Sequence, residues 1–234
     1  MCGRTASALS RDEAAHLLDV AQVDAPELPK RWNVAPTQDL YVAATTSEGT
    51  RKLRALRWGL VPSWADDPTI GSRLINARAE TLTTKPAFRP LINRRRALIA
   101  VSGFYEWRRA EPGDKGRGRP HYFHGGSGEP LVFAGLWDIW YDAEGRALRT
   151  FTIITTKANR TVARVHHRMP AILSPGRWEE WLSPVSLSAQ RLEALLAPAS
   201  DDLLSFHAVG TAVNSTKNDG PSLVLPLAEV ELRE

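Results

Sequence analysis

Cysteine is almost absent from the chain: one residue, Cys2, is the only thiol among 234 positions. A single cysteine excludes an internal disulfide and any zinc or iron–sulfur site with several thiolate ligands, and it favours a reducing compartment. The sequence also lacks an apolar run of about 18 residues, and its start lacks the apolar core of a signal peptide. We therefore expect a cytoplasmic protein.

Lysine is scarce as well, since 24 of the 30 basic residues are arginine, and the formal net charge is +4. The planar guanidinium can bind an oxyanion with two parallel hydrogen bonds, so this bias is compatible with nucleic-acid binding. A GC-rich genome would enrich arginine equally well. Composition alone leaves both explanations open.

Extended patterns dominate the remainder of the chain. Ser10 and Glu13 have the spacing of a capping box, which predicts a helix over about residues 11 to 20. The stretch "YDAEGR" (141 to 146) predicts a hairpin turn, and the Gly-rich stretch 108 to 120 predicts an exposed loop. Strands are predicted at 40–45, 53–60, 97–107, 121–125, 131–141, 148–156 and 204–210, and further helices at 159–165, 175–182 and 188–196.

These elements predict an α+β fold class. We expect a single domain over residues 1–234, in which a mainly antiparallel β-sheet curls into a barrel-like core with peripheral helices.

Cys2 is a candidate nucleophile. If Met1 is removed, Cys2 carries a free α-amine and a thiol on one two-carbon unit, a pair that condenses with an aldehyde to an imine and then to a thiazolidine ring. Near neutral pH, an α-amine with a pKa of about 7.7 to 8.0 has a far larger uncharged, nucleophilic fraction than a lysine with a pKa near 10.4. The following Gly3 allows close backbone approach, and Arg4 can hold an anion. The alternative is a frayed terminus with an incidental thiol.

Two further motifs contain candidate proton-transfer groups. Glu106 in "GFYEW" has aromatic neighbours, which would raise its pKa by desolvation; the alternative is a strand glutamate facing solvent. In "VHHRMP", His166 and His167 are adjacent, so on an extended segment only one of them would enter a given site. A structural histidine is the alternative. With His121 and His124, these residues match no strong metal-ligand spacing, and we expect no metal site.

Other segments carry groups that suit a sugar, a phosphate or a base. In "LINARAET", Asn76, Arg78 and Glu80 alternate and would share one face of an extended segment, although a salt-bridged surface strand has the same pattern. The stretches "RWGLVPSWADD" and "RWNVAPTQ" place tryptophans beside prolines, as stacking platforms for a base or as aromatic core. We expect Trp58 to be core.

In order along the chain, "MCGR", "NVAPTQ", "RWGLVPSWA", "INARAET", "GFYEW", "TTKAN", "HHRMPAIL" and "VNSTKNDGP" form a pattern. It resembles the SOS response-associated peptidase (SRAP) family of abasic-site processing proteins over residues 2 to about 226. The resemblance implies the SRAP fold and a covalent thiazolidine crosslink between Cys2 and the ring-opened abasic site in single-stranded DNA. It implies no cofactor, a monomer and association with the nucleoid when DNA is bound.

The resemblance also implies residue roles. The catalytic residues would be Cys2, Asn76, Glu106 and His166, and the DNA-binding residues would be Arg4, Arg78, Asn33, Pro36, Trp64 and Thr155. Two alternatives remain open: a cysteine peptidase that uses Cys2, including one confined to removal of Met1, and a non-catalytic single-stranded DNA binding module.

Overall fold

The structure is a computed structural model, and it describes residues 2–46, 48–109 and 118–227. Its strands are β1 Thr5–Ser7, β2 Gln22–Asp24, β3 Arg31–Val34, β4 Asp39–Thr45, β5 Arg51–Trp58, β6 Asn76–Arg78, β7 Arg96–Val101, β8 Gly103–Arg108, β9 Arg119–Gly125, β10 Leu131–Tyr141, β11 Ala147–Lys157, β12 Arg168–Pro170 and β13 Leu204–Ala208. Its α-helices are α1 Arg11–Leu17, α2 Arg160–Ala163, α3 Trp178–Leu182 and α4 Ala189–Leu195.

Five strands close into a barrel. Antiparallel pairs join β5 to β4, β4 to β7, β7 to β10 and β10 to β11, and a parallel pair between β11 and β5 completes the circle. An odd number of strands cannot alternate in direction all the way round, so closure requires one parallel pair. Strands β2, β6 and β12 extend this sheet. The predicted α+β fold with a barrel-like core is confirmed.

Alternate residues of the barrel strands face two different surroundings, as the period of a strand requires. Val42, Ile99, Phe133 and Phe151 belong to the cluster that fills the barrel interior. Their strand neighbours, such as Leu98, pack outside the barrel with the helices, where the largest partners are Trp178 and Trp181. Trp58 is fully buried in the interior cluster, which confirms the expectation that it is core.

A second antiparallel sheet, in the order β13-β9-β8-β1-β3, covers one end of the barrel. The chain passes between the sheets at Ser102, whose N–H donates to the Ala6 carbonyl at 2.8 Å. A Cβ on the next residue, Gly103, would lie 2.4 Å from the Phe123 carbonyl oxygen, so only glycine fits there. The prediction of one strand over 97–107 was therefore wrong, because the run divides into β7 and β8 of different sheets.

Predictions that depend on interactions between neighbouring residues are confirmed. Ser10 and Glu13 form the predicted capping box at the start of α1. The hairpin between β10 and β11 is confirmed, and Asp142 accepts backbone N–H bonds from Glu144 and Arg146 within it. Of the predicted loop, residues 110–117 lie outside the described residues, and its ends belong to β8 and β9. Within the described ranges, no helix is long and apolar enough to cross a membrane.

Candidate active site at one end of the barrel

Cys2 is fully buried and belongs to the cluster that fills the barrel. The chain holds it there because β1, which follows within three residues, pairs with both β3 and β8. The frayed terminus is therefore a wrong interpretation. Burial, and next the charge of Glu106, raise the pKa of the Cys2 thiol, so the thiol is protonated at neutral pH.

Asn76 lies in contact with the backbone of Cys2. Strand β6 pairs in parallel with β11, which places Asn76 opposite Ile153. Its Nδ2 donates a 2.7 Å hydrogen bond to the Cys2 carbonyl oxygen. Its Oδ1 is buried and has no hydrogen-bond partner among the described residues. The amide therefore positions Cys2 with one atom and leaves a buried acceptor for another group.

Glu106 points into the protein from the middle of β8, and its side chain is only 4% exposed. Both of its strand neighbours are covered too, with Tyr105 buried and Trp107 half-buried. Desolvation by this burial raises the pKa of Glu106 to about 7. The predicted raised pKa is confirmed, and the alternative of a solvent-facing glutamate is wrong.

His166 faces Glu106 across the site, with its Nδ1 3.9 Å from Oε1 of the carboxylate. The same nitrogen lies 3.0 Å from the Arg168 N–H and 3.2 Å from the Arg168 carbonyl oxygen, so it has a backbone partner in either protonation state. Burial lowers the pKa of His166 and favours the neutral ring.

His167 is exposed, but its ring does not point away from His166 as predicted. The two rings stack, with centroids 4.4 Å apart. The prediction assumed an extended segment, whereas the His166 N–H donates to the Val162 carbonyl and the chain turns at this point. His166 alone of the two is half-buried in the site.

Arg168, from the same "HHRMP" motif, was not among the predicted site residues. Its guanidinium donates to both Glu80 carboxylate oxygens, at 2.6 and 2.9 Å, and to the Thr155 carbonyl at 2.7 Å. Glu80 does not continue the extended face of Asn76 and Arg78 as predicted, because the chain turns into a 3-10 helix at Ala79–Thr81. The ion pair instead fastens the segment after β6 to the segment after His166.

Arg4 and Asn33 join the start of the chain to its C-terminal region. Nη1 of Arg4 donates to Asn33 Oδ1 at 2.5 Å and to the Val213 carbonyl at 2.7 Å. Nδ2 of Asn33 donates to the carbonyls of Ser215, at 2.9 Å, and Asn218, at 2.8 Å. Both predicted DNA-binding side chains thus make intramolecular bonds within the described residues.

The other predicted DNA-binding residues differ in exposure. Arg78 is exposed at the end of β6, where it pairs with Thr155 of β11. Thr155 itself is fully buried. Trp64 is 56% exposed, and Pro36 is half-buried between β3 and β4. Of these four residues, Arg78 and Trp64 are therefore the most accessible to a ligand.

The remaining histidines do not assemble around these groups. His121 and His124 lie on β9, and their Nδ1 atoms contact the carbonyls of Arg119 and Gly125 at 3.1 and 2.8 Å. In the described part of the chain, no three His, Cys, Asp or Glu side chains are grouped so that they could hold a metal ion.

The fold and the site define an α+β barrel protein with a buried thiol, an acid of raised pKa and a neutral histidine at one barrel end. The family model described as "SOS response associated peptidase (SRAP)" matches residues 1–216, and the chain belongs to this family.

Individual relatives resemble the chain over nearly its whole length. Abasic site processing protein YoqW of Bacillus subtilis is 39% identical over 225 residues, which cover 96% of this chain and 99% of the relative. Abasic site processing protein YedK of Escherichia coli is 32% identical over 235 residues, covering 97% and 100%. The X-ray structure of a protein from Bacteroides thetaiotaomicron superposes with a TM-score of 0.83 at 27% identity, covering 97% and 100%.

Proposed function

We propose that this protein processes abasic sites in single-stranded DNA by forming a covalent thiazolidine crosslink through Cys2. The observation that carries the proposal is the arrangement around this buried residue. Asn76 binds its carbonyl at 2.7 Å, and Glu106, whose charge acts on the thiol, lies 3.9 Å from His166. The names of YoqW and YedK, both abasic site processing proteins, support the abasic site as the lesion.

The reaction requires a free α-amine on Cys2, and hence hydrolytic removal of Met1. The amine nitrogen attacks the aldehyde carbon of the ring-opened sugar, and loss of one water gives an imine. The sulfur then bonds to the imine carbon, and the thiol proton passes to the imine nitrogen. No oxidant or reductant is needed, and the product is a five-membered ring joined to the DNA.

Each side chain of the site has a matching role in these steps. Glu106, with a pKa of about 7, can accept and donate protons near neutral pH during sugar opening and loss of water. His166, favoured in its neutral form, can act as a base in imine chemistry and in reversal of the crosslink. Asn76 positions Cys2 through its carbonyl, and its buried Oδ1 accepts a hydrogen bond from the sugar.

Burial of Cys2 also supports the choice of a single strand. A nucleotide held in a stacked duplex cannot reach a fully buried thiol unless it leaves the stack, which costs a few kcal/mol. A lesion on a single strand avoids most of that cost. The exposed Arg78, two residues after Asn76, supplies a phosphate contact, Arg4 adds positive charge two residues after Cys2, and Trp64 offers an exposed stacking face.

The thiol's protonation state favours crosslinking over the peptidase alternative. A cysteine peptidase needs a thiol pKa lowered by a neighbouring cation or base. Here burial and Glu106 raise the pKa of the Cys2 thiol. Imine formation starts from the amine rather than from a thiolate, so it tolerates a protonated thiol.

The test is the intact mass of protein that starts at Cys2, after incubation with a single-stranded oligonucleotide containing one abasic site. We expect a heat-stable increase equal to the oligonucleotide mass less one water. Cys2→Ala and Cys2→Ser are matched controls, since both keep an N-terminal amine and lose the thiol; each should give only an imine that borohydride traps and heat reverses.

Two results would contradict the proposal: no mass shift for wild type with Met1 removed, or a heat-stable adduct of Cys2→Ala equal to that of wild type. Peptide cleavage that depends on Cys2, without any adduct, would favour the peptidase. Binding without either reaction would favour a non-catalytic module.

A further inference from the structure

A basic cleft of about 670 Å³ opens at the barrel end opposite Cys2. The Cys2 end of the barrel is the end at which β7 and β11 finish. Ser102, which binds the Ala6 carbonyl, comes directly after β7, and strand β6 pairs with the second half of β11. The cleft lies where β7 and β11 begin, at Arg96 and Arg149. Its other walls come from the end of β4, the start of β5 and the second half of β10, so all five barrel strands contribute to this mouth.

The alternation of side chains along the strands directs several cations into the mouth. Lys52 and Arg54 lie on the face of β5 that carries Leu56 farther along, a residue of the barrel interior. Arg149 lies two residues before Phe151, another interior residue. Small closed barrels normally fill such inward positions with apolar side chains. Here they hold positive charge around an open space.

Positive charge far exceeds negative charge in this lining. Glu48 is the one acidic residue among the described residues that line the cleft. Six cations line it: Lys52, Arg54, Arg94, Arg95, Arg96 and Arg149. Like charges placed this close repel one another and lower stability unless an anion neutralises them.

Intramolecular partners account for only some of these cations. Arg96 is buried and donates to main-chain carbonyls, including that of Ile92 at 2.7 Å. Arg54 pairs with Asp24 at 3.3 Å, and the Arg95 guanidinium lies 4.3 Å from the centroid of the Trp137 ring. For Lys52 and Arg149, the described part of the chain supplies no ion pair. These two charges therefore remain available to an external anion.

We propose that this mouth binds a ligand with closely spaced phosphate groups. Arginine forks bind phosphate oxygens in pairs, and lysine adds a point charge. Neutral donors complete the set, because the Thr46 hydroxyl and the Asn93 amide line the same cleft. A cavity of about 670 Å³ lies within the usual range for small-molecule sites, about 300 to 1,000 Å³.

Two sources share this chemistry: a free oligophosphate, such as the phosphate chain of a nucleotide, and consecutive phosphates of a nucleic-acid strand. Either would bind at the far end of the barrel from Cys2. Binding therefore needs neither Cys2 nor an abasic site, which separates this proposal from the crosslinking reaction.

The test uses the full chain carrying Cys2→Ala, so that no crosslink forms. Inorganic tripolyphosphate is titrated by calorimetry, and an undamaged, fluorescein-labelled 12-nucleotide single strand by anisotropy, each at two salt concentrations. The added substitutions are Lys52→Gln with Arg149→Gln. The matched control is Lys85→Gln with Arg89→Gln, which removes the same charges from exposed positions outside the cleft.

We expect the cleft substitutions to weaken binding of at least one ligand by about tenfold or more, because each lost charge-assisted contact is worth roughly that factor. The control should keep the parent affinity. Loss for tripolyphosphate identifies a free oligophosphate as a ligand, and loss for the strand alone identifies nucleic-acid phosphates. Arg149 is exposed, so Arg149→Gln alone gives the test if the double variant fails to fold. Unchanged binding of both ligands by the cleft variant, or equal losses in cleft and control variants, would overturn the proposal.

Discussion

Replacement of Glu106 by glutamine tests the electrostatics of the site without any DNA. Glutamine keeps the shape of the side chain and cannot ionise. In the wild type, burial raises the pKa of Glu106 from its ordinary 4.5 to about 7. A difference of that size corresponds to about 3 kcal/mol between the protonated and ionised forms in the folded protein.

The direction of the pH dependence of stability follows from which state, folded or unfolded, binds the Glu106 proton more tightly. Because the pKa of Glu106 is raised on folding, the folded protein holds this proton at pH values where the unfolded chain has lost it. Below pH 4.5, Glu106 is protonated in both the folded and the unfolded state, so it does not lower the free energy of unfolding. As the pH rises from 4.5 to about 7, the unfolded state is favoured progressively, and above that range the full cost applies.

The assay is urea unfolding at pH 5 and pH 8, followed by tryptophan fluorescence. Wild type should lose about 2.5 kcal/mol more stability than Glu106→Gln between these two pH values. Glu129→Gln makes the same chemical change in the exposed turn between β9 and β10, and it controls for removal of one acid. Parallel pH profiles for wild type and Glu106→Gln would refute the argument that burial holds this carboxyl protonated.

The same variant connects the electrostatics to the chemistry. A positioned proton-transfer group contributes about 10² to 10⁴ in rate, and the thiazolidine bonds themselves come from Cys2. We expect Glu106→Gln to slow crosslink formation within that range without abolishing it, and to remove a step near pH 7 from the pH–rate profile. A wild-type rate and profile in the folded variant would exclude Glu106 from the proton transfers.

Four further substitutions test the remaining roles. Arg78→Ala should reduce the slope of log affinity against log salt by about 0.7, measured by anisotropy on single-stranded DNA; an equal slope would leave Arg78 without a phosphate contact. His166→Ala should slow transfer of preformed adduct to competing abasic DNA more than it lowers adduct yield, and the opposite order would contradict its role in reversal. Asn76→Ala should slow crosslinking about tenfold or more, since one positioning bond is lost, whereas unchanged single-turnover kinetics would show that the amide is dispensable. Trp64→Ala should weaken DNA binding by about 1 to 3 kcal/mol if a base stacks on this exposed ring, and no change would exclude stacking there.

Much of the fold was accessible from the chain because local interactions specify it. The capping box of Ser10 and Glu13 acts over three residues, and it starts α1 where the spacing predicted. Extended apolar patterns predicted β4, β5, β10 and β11 close to their observed bounds. The shorter strands β1, β2, β3, β6 and β12 were not predicted, since three or four residues carry too little pattern to distinguish them from loops.

Parts of the candidate site depended on contacts between distant segments. Arg168 and Glu80 are 88 positions apart, and their ion pair follows from the turn after β6 rather than from either motif. Arg4 reaches a carbonyl 209 positions away, at Val213. No spacing rule connects such residues. Bringing segments so far apart in the chain into contact costs conformational entropy, and only cooperative folding of the whole domain offsets that cost.

The sequence by itself determined the reactive inventory: one thiol at Cys2, one glutamate among aromatic residues, and an arginine-rich charge balance. The tertiary structure decided what these groups experience. Glu106 gains its raised pKa because covering layers remove water from both faces of β8, and desolvation depends on every neighbour rather than on the strand alone. The parallel pairing of β5 with β11, which closes the barrel, likewise places Lys52 and Arg149 in the same mouth. Strand register decides which distant side chains face the same space, and the sequence does not specify that register locally.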